Sequence, residues 1–195
     1  MQKQDQDYIL SLFPAIEKIK DDGIRQKVIL TWYKAWKRGN FSRIEDVHQF
    51  EPARERIAYT HVAHTNQVCR ASERMGEMVA EVLNLPVKID HLLAGALLHD
   101  VDKMVIFDAQ TGGFTDTGRR FAHGAMGAAM ALMEGLPEAI AHIIGAHSAH
   151  FSPISPNSLE ALILRHADHV VAKAVYLSHG VEMEKLLSES LSRIT

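Results

Sequence analysis

Hydrophobic positions recur every three to four residues along most of the chain, a spacing that predicts helices rather than strands. In the first fifty residues this pattern breaks near Gly23 and again near Gly39, so it predicts two amphipathic helices. Ser42 and Glu45 have the spacing of a capping box for a short third helix. We find no convincing strand pattern, internal repeat or low-complexity linker, and the predicted fold is all-α.

A longer periodic segment is predicted to begin at Pro52 and to end at Leu85. Steps of four and three residues give its inward positions as Ile57, His61, His64, Val68, Ala71, Met75, Met78 and Val82. Two histidines are thus expected on a face that packs against the rest of the protein. Asp90 is the expected N-cap of the helix that follows.

The most apolar run, Leu92 to Leu98, ends directly in His99 and Asp100. A run of this kind belongs in the core, and ionisable groups that are buried there need partners. A metal cation is a suitable partner because it stabilises both a neutral imidazole and an ionised carboxylate. The other candidates come from different predicted helices or helix ends, as expected of a site inside a helical bundle; they are His64, His123, His147 and Asp168.

The remaining helices are predicted from small residues and turn signals. A helix rich in glycine and alanine is expected from Phe121 to Met133, with His123 near its start. The next helix runs towards His147, and a helix capped by Asn157 or Ser158 carries Asp168. A short final helix with Met183, Leu186 and Leu187 is also expected.

Composition and charge restrict the class of protein. The length of 195 residues allows one well-buried domain with a small appendage, and a net charge of −3 gives no reason to expect a nucleic-acid or membrane partner. Cys69 is the single cysteine, which excludes an internal disulfide and favours a reducing cytoplasm. The N-terminus lacks the pattern of a signal peptide. Basic residues around Trp36 are interpreted as a solvated helix face rather than a nucleic-acid patch.

Residues 55 to 180 resemble the HD superfamily of metal-dependent phosphohydrolases. The resemblance lies in the segments H-T-N-Q-V, L-L-H-D-V-D-K, A-H-G-A-M-G-A, G-A-H-S-A-H and R-H-A-D-H-V. It implies an HD-type helical bundle over residues 51–195, with residues 1–50 as a helical extension packed on it. The two histidines between the HD pair and the last aspartate resemble the dinuclear branch, and A-H-G-A-M-G-A is similar to bacterial HD hydrolases of dinucleoside tetraphosphates.

Carried over residue by residue, the resemblance implies two metal sites that share one carboxylate. His64, His99, Asp100 and Asp168 would hold one ion. Asp100, His123 and His147 would hold the second, with Asp100 as the bridge, since a carboxylate has two oxygens to share. Ligands of this type favour iron or manganese and also accept zinc, cobalt, nickel or magnesium.

The predicted activity is hydrolysis of a phosphate ester or anhydride of a nucleotide or another small phosphorylated metabolite. Asp100 and Lys103 are the expected catalytic residues, with Lys103 contacting the phosphate as a point charge. Further substrate contacts are expected from His61, Arg119, Arg120 and His150. For His61 a hydrogen-bonded core position is preferred to a contact with substrate, and His147 is preferred to His150 as the ligand.

Two other functions use the same residues. The same six ligands occur in HD-type mixed-valent di-iron oxygenases, which act on small organic substrates. A regulatory HD module would use its N-terminal helices to bind a partner and would have no turnover. A homodimer is left open by the sequence. Asp102 stands where the motif usually has glycine, and the sequence leaves open whether it pairs with Lys103 or accepts a proton.

Overall fold

The computed structural model describes residues 1–148, 154–183 and 185–186. Over these ranges the protein is helical, and β-structure is limited to two isolated bridges, His48 with Thr60 and Phe107 with Phe114. The all-α prediction is confirmed. The α-helices are α1 (Lys3–Leu12), α2 (Asp22–Arg38), α3 (His61–Val82), α4 (Ile89–Leu98), α5 (Lys103–Ile106), α6 (Asp116–Arg120), α7 (Ala125–Met133), α8 (Glu138–Gly145) and α9 (Leu159–Ser178).

The N-terminal segment differs from the predicted pair of helices. α1 ends at Leu12, and residues Pro14–Lys18 form a separate 3₁₀ turn, because proline cannot continue the α-helical hydrogen-bond ladder. The predicted end of α2 at Gly39 is confirmed, since the Gly39 N–H donates to the Ala35 carbonyl at 3.0 Å.

The predicted third helix is only a 3₁₀ turn at Ile44–Asp46, and its capping box is wrong. The Arg43 N–H donates to the Asp46 carboxylate at 3.1 Å, while Glu45 accepts a hydrogen bond from the Tyr8 hydroxyl. The carboxylate of Glu45 is therefore bound to Tyr8 of α1, and Asp46 accepts the backbone hydrogen bond of the turn instead.

α3 begins nine residues after the predicted start at Pro52, which lies in a 3₁₀ turn at Glu51–Ala53. Thr60 caps α3 by accepting a hydrogen bond from the Ala63 N–H at 3.2 Å. Thr60 itself is extended and pairs with His48, because the His61 N–H donates to the Val47 carbonyl and the Gln49 N–H donates to the Tyr59 carbonyl, each at 2.8 Å. His61 and His64 consequently lie in the first turns of α3.

The predicted inward face of α3 is correct at its start and wrong at its end. Met78 and Val82 are 46% and 72% exposed, whereas Ser72 and Gly76 are buried. Steps of four and three average 3.5 residues per turn, while a straight α-helix has 3.6, so the predicted stripe drifts off the buried face along the helix.

α4 is the central helix of the fold. All of its residues from Leu92 to Leu98 are buried, and its Leu97 carbonyl accepts a hydrogen bond from the indole N–H of Trp32 at 3.1 Å. Gly95 lies so close to α8 that an added Cβ would stand 2.3 Å from the Ile143 side chain. Apolar residues before and after position 50 share one hydrophobic core, and the division of the chain at that position stays a prediction.

Two further helix starts correct the prediction. The N-cap of α4 is Lys88, not Asp90. The Asp90 carboxylate instead accepts hydrogen bonds from the backbone N–H groups of Lys20 and Asp21. α7 begins at Ala125 rather than Phe121, since Gly124 has a φ of +83° that interrupts the helix.

Ser158 is the N-cap of α9, as predicted, and its hydroxyl accepts a hydrogen bond from the Ala161 N–H at 3.2 Å. Met183 and Leu186 of the predicted final helix are buried, whereas Leu187 lies outside the described residues. None of the helices in the described ranges is long and apolar enough to cross a bilayer.

Candidate metal centre

Four histidines and two aspartates meet at one interior point around the end of α4. α3 supplies His64, and α9 supplies Asp168. The remaining four follow or precede helices rather than lying within them; they are His99, Asp100, His123 and His147. These are the six residues that the sequence singled out as candidate ligands.

The first group contains His64, His99, Asp100 and Asp168. The Nε2 atoms of His64 and His99 each lie 3.4 Å from Oδ2 of Asp100. Oδ1 of Asp168 lies 3.0 Å from Nε2 of His64 and 3.8 Å from Nε2 of His99. Both histidines are fully buried.

The second group faces the other oxygen of the same carboxylate. Oδ1 of Asp100 lies 2.9 Å from Nε2 of His123 and 3.6 Å from Nε2 of His147. One carboxylate therefore presents each of its two oxygens to a different histidine pair, an arrangement that would allow it to bridge two ions.

Each of the four imidazoles has its Nδ1 next to an acceptor. His99 donates to the Ala96 carbonyl at 2.7 Å, and His147 donates to the Ile144 carbonyl at 2.6 Å. His64 donates to the Tyr59 hydroxyl at 3.2 Å, which in turn donates to Gln67. With a metal ion bound, each ring would keep its proton on Nδ1, which would leave the Nε2 lone pair to the ion.

The Nε2 atoms also approach one another in pairs. His64 and His99 are 3.2 Å apart at Nε2, and so are His123 and His147. Two imidazole lone pairs facing each other at this distance repel unless a proton or a cation lies between them. The donor set thus fits two divalent cations, one at each pair.

The acidic residues are held ionised. Burial disfavours the charged form of Asp100, but the neighbouring His99 and Lys103 hold the pKa of its carboxyl well below the usual range. Burial also opposes ionisation of Asp168, and the hydrogen bond and charge of His64 lower its pKa. Two anionic carboxylates in the interior are what a cationic cofactor would stabilise.

The histidines of the second group are held in opposite states. Burial, followed by the charges of His123 and His99, lowers the pKa of His147 to about 4. For His123, burial favours the neutral form, but the carboxylates of Asp102 and Asp100 raise its pKa to about 10. Without a bound cation, the positive charge of His123 compensates these carboxylates.

Lys103 and Asp102 each form a hydrogen bond with one of the candidate ligand residues. The Lys103 ammonium donates to Oδ2 of Asp100 at 2.6 Å and also to the Gln49 carbonyl. Asp102 is not paired with Lys103; its Oδ1 accepts a hydrogen bond from Nδ1 of His123 at 3.0 Å. The function of Lys103 as a phosphate contact stays a prediction.

A cavity of about 370 Å³ opens onto the two groups of ligands. Asp100, His123, His147 and Asp168 lie along one part of its wall. Aromatic rings line it as well; they belong to Phe50, Phe107, Phe114, Phe121 and Tyr176. Cationic side chains complete the lining, namely Lys103, Arg119, Arg120 and Arg165. This combination of aromatic and cationic walls suits a flat, anionic molecule.

The other predicted substrate contacts differ in their position relative to the cavity. Arg120 is exposed at the cavity, whereas Arg119 is held by the Asp116 carboxylate and the Phe114 carbonyl. His61 does not line the cavity; it is buried 5.3 Å from the Trp32 ring, and the described residues give neither of its ring nitrogens a hydrogen-bond partner. His150 lies outside the described residues.

Arg165, Tyr176 and Gln49 line the cavity and were not among the predicted site residues. Arg165 precedes Asp168 by three positions on α9, and this spacing puts both side chains on one helix face. That spacing could have identified Arg165 as a residue of the site from the sequence. Tyr176 donates to the side chain of Gln49 at 2.7 Å, a contact between residues 127 positions apart that no local pattern reveals.

Comparison with known proteins agrees with this geometry. The family model described as "HD domain" matches residues 62–173, more than half of the chain. The chain is also 29% identical over 170 residues to the dihydroneopterin 2′,3′-cyclic phosphate phosphodiesterase of Methanocaldococcus jannaschii, covering 83% of this chain and 68% of that protein. No solved structure matches the chain significantly. The family match and the helical fold show that this chain belongs to the HD domain family.

Proposed function

We propose that the protein is a metal-dependent phosphodiesterase that hydrolyses a small phosphate diester carrying a planar ring. The observation that supports it best is the position of the Asp100 carboxylate. Each of its two oxygens faces a different histidine pair, beside a cavity with aromatic and cationic walls. Membership of the HD family and the named activity of the archaeal relative support a hydrolase.

In this proposal the six ligands hold two divalent ions. His64, His99, Asp168 and Oδ2 of Asp100 would take one, and His123, His147 and Oδ1 of Asp100 would take the other. Such a pair of ions supplies Lewis acidity, which activates a water molecule and neutralises charge on a phosphate oxygen. Iron and manganese both accept this mixture of imidazole and carboxylate ligands.

The side chains of the protein position the substrate. Arg165 and Arg120 line the cavity, and no described carboxylate forms an ion pair with either guanidinium. Both guanidinium groups are therefore available to a phosphate. Lys103 holds Oδ2 of Asp100 by a hydrogen bond and so orients the bridging carboxylate. A positive charge at this point also stabilises a phosphate that gains charge during the reaction.

The aromatic side chains of the cavity are the reason for proposing a substrate with a planar ring. Phe107 is buried against Phe50 and Phe114, with ring centroids 6.0 and 5.0 Å apart. Their planes are inclined by 80° and 46°, so these rings form an angular apolar wall, and Phe121, which is 52% exposed at the cavity, offers a further ring against which a heterocycle can pack. A pterin and a nucleobase share this chemistry, and the relative's name specifies a pterin that carries a cyclic phosphate. The cavity volume lies near the lower end of the range for small-molecule sites, which favours one ring system over a dinucleotide.

The reaction we propose consumes one water and one diester. The water oxygen forms a bond to phosphorus, one phosphorus–oxygen ester bond breaks, and the released alkoxide takes up a proton. A cyclic diester opens to a single phosphate monoester, so one product leaves the cavity. Hydrolysis of this kind agrees with the activity named for the relative, which gives no support to the oxygenase alternative.

A direct test compares phosphate diesters and monoesters with the purified protein. The panel contains 2′,3′-cyclic nucleotides, bis(p-nitrophenyl) phosphate and p-nitrophenyl phosphate, each with Mn²⁺, with Fe²⁺ under anaerobic conditions, and with chelator. We expect turnover of the diesters that depends on metal and produces a monoester. Turnover that survives complete metal removal would contradict the proposal, and so would metal-loaded protein that consumes oxygen but leaves every ester intact.

A further inference from the structure

Asp102 is a buried carboxylate for which the proposed reaction gives no role. It is fully buried, and both of its oxygens have partners. Oδ1 accepts a hydrogen bond from Nδ1 of His123 at 3.0 Å, and Oδ2 accepts one from the backbone N–H of Gly124 at 2.8 Å. We propose that Asp102 is a positioning residue that holds His123 with Nε2 directed towards Asp100 and thereby builds the second metal site. This inference rests on the proposed two-ion centre.

The partner of His123 differs in kind from those of the other three histidines. His99 and His147 donate to backbone carbonyls, and His64 donates to a tyrosine hydroxyl, all of which are neutral acceptors. A carboxylate acceptor fixes the proton on Nδ1 more strongly and makes Nε2 a better electron donor. The second site thus receives electron density that the first site does not.

The position of His123 in the fold explains why it needs this support. His64 lies within the long helix α3, whereas His123 lies in the turn before α7, ahead of Gly124 with its φ of +83°. A helix fixes the direction of its side chains, but a turn does not. Asp102 bonds to both residues of this turn, and it stands two residues after Asp100, so it joins the turn to the segment that carries the bridging ligand.

Lys103 follows Asp102 directly in the chain but does not bind its carboxylate. Lys103 directs its ammonium to Asp100 and to the Gln49 carbonyl. An added Cβ on Gly124 would stand 3.2 Å from Cε1 of His147, so the turn is also packed closely against the second histidine of the same site. Movement of the turn would therefore displace both imidazoles of that site and leave His64 and His99 in place.

Two variants and one control test this role by zinc binding, without any measurement of turnover. Asp102→Gly removes the carboxylate without adding volume. Asp102→Asn keeps the shape, but its amide can donate to Nδ1 of His123 and so favour the tautomer with a proton on Nε2. Asp90→Asn is the matched control, because Asp90 also accepts two hydrogen bonds but lies in the first turn of α4, at the opposite end of that helix from His99 and Asp100.

Calorimetric titration with Zn²⁺ should show two ions per wild-type chain. In both Asp102 variants we expect the affinity for one ion to fall by about 10–100-fold, the usual effect of losing an outer hydrogen-bond partner, while the other ion binds as before. In the zinc-loaded state, two-bond ¹H–¹⁵N spectra of the histidines should place the His123 proton on Nδ1 in wild type and in Asp90→Asn. The Asp102→Asn spectrum should lose that signal.

Three results would overturn the inference. Both ions could bind to Asp102→Gly and Asp102→Asn as tightly as to wild type, both ions could weaken equally, or both variants could fail to fold while Asp90→Asn folds. The last two outcomes would make Asp102 a structural residue only. A wild-type chain that binds a single zinc ion would instead refute the two-ion centre itself, so the failure of the two proposals can be told apart.

Discussion

The two histidine pairs at the candidate metal centre are built in different ways. His64 and His99 are fully buried, and they come from the first turns of α3 and the end of α4, the central helix. His123 lies in the turn before α7, His147 follows the end of the short helix α8, and the His123 side chain is 12% exposed. Asp100 contacts both pairs, one with each oxygen.

This difference indicates how the two sites depend on the fold. The first pair is held by helices that also form the hydrophobic core, so its geometry is as stable as the core itself. The second pair depends on local hydrogen bonds to Asp102 and to the Ile144 carbonyl. We expect the first site to be preformed and the second site to be completed by its ion.

The largest effect is expected where the two pairs meet. Asp100→Ala removes the one ligand that both sites share, so we expect loss of both ions and a fall in diesterase turnover of more than about 10²-fold, the scale of losing one preorganised electrostatic contact. Metal analysis and turnover measure this. Asp22→Asn, which neutralises an exposed carboxylate paired with Arg25 in the first turn of α2, is the control and should retain both. An Asp100→Ala protein that keeps two ions would refute the bridge.

Substitution of one histidine in each pair should separate the sites. His64→Ala is expected to weaken one ion and His123→Ala the other, each by more than the roughly 100-fold that loss of an outer partner can cause. The His64 variant should also lower the melting temperature more, because it leaves a cavity in the core and removes one partner each from the carboxylates of Asp100 and Asp168. Equal loss of stability in the two variants would contradict the difference between the pairs.

Removal of metal should loosen the second pair more than the first. At a free ion concentration one hundred times its Kd, each ion stabilises the folded protein by about 2.7 kcal/mol, so chelation should lower the melting temperature. Hydrogen exchange should then increase around Gly124 and change little in α3 and α4. Uniform protection changes across all three segments would argue that both sites have the same rigidity.

The smallest effects are expected at the cavity wall, away from both pairs. Arg165→Ala should raise KM by about 10–150-fold, since a charge-assisted hydrogen bond contributes about 1.5–3 kcal/mol. Arg120 is more exposed, and Arg120→Ala should raise KM only a few-fold, within the roughly 1 kcal/mol of a surface ion pair. Neither change should alter the number of bound ions. A loss of metal in either variant would show that the wall and the centre are not independent.

The sequence predicted the parts of the molecule that depend on local pattern. The helical fold follows from periodicity, and the burial of His99 and Asp100 follows from the apolar run that precedes them. The start of α3 was predicted nine residues early because the Thr60 cap and the backbone pairing before it outweigh the hydrophobic pattern.

Contacts between segments distant in the chain could not be predicted from the sequence alone. Asp102 and His123 are 21 residues apart, and nothing in their local pattern shows that their side chains meet. The same holds for Tyr176 and Gln49 at the cavity. Arg165 is different, since its spacing from Asp168 places it on the same face of α9 and could have been used.

The claim that Asp100 joins two metal sites has a direct spectroscopic test. Wild-type protein freed of metal is titrated with Mn²⁺, and bound ions are counted and examined by electron paramagnetic resonance. The account predicts two Mn²⁺ per chain with an exchange-coupled spectrum, because a bridged pair about 3.5–4 Å apart is magnetically coupled. One ion per chain, or two ions with the spectra of isolated Mn²⁺, would contradict it.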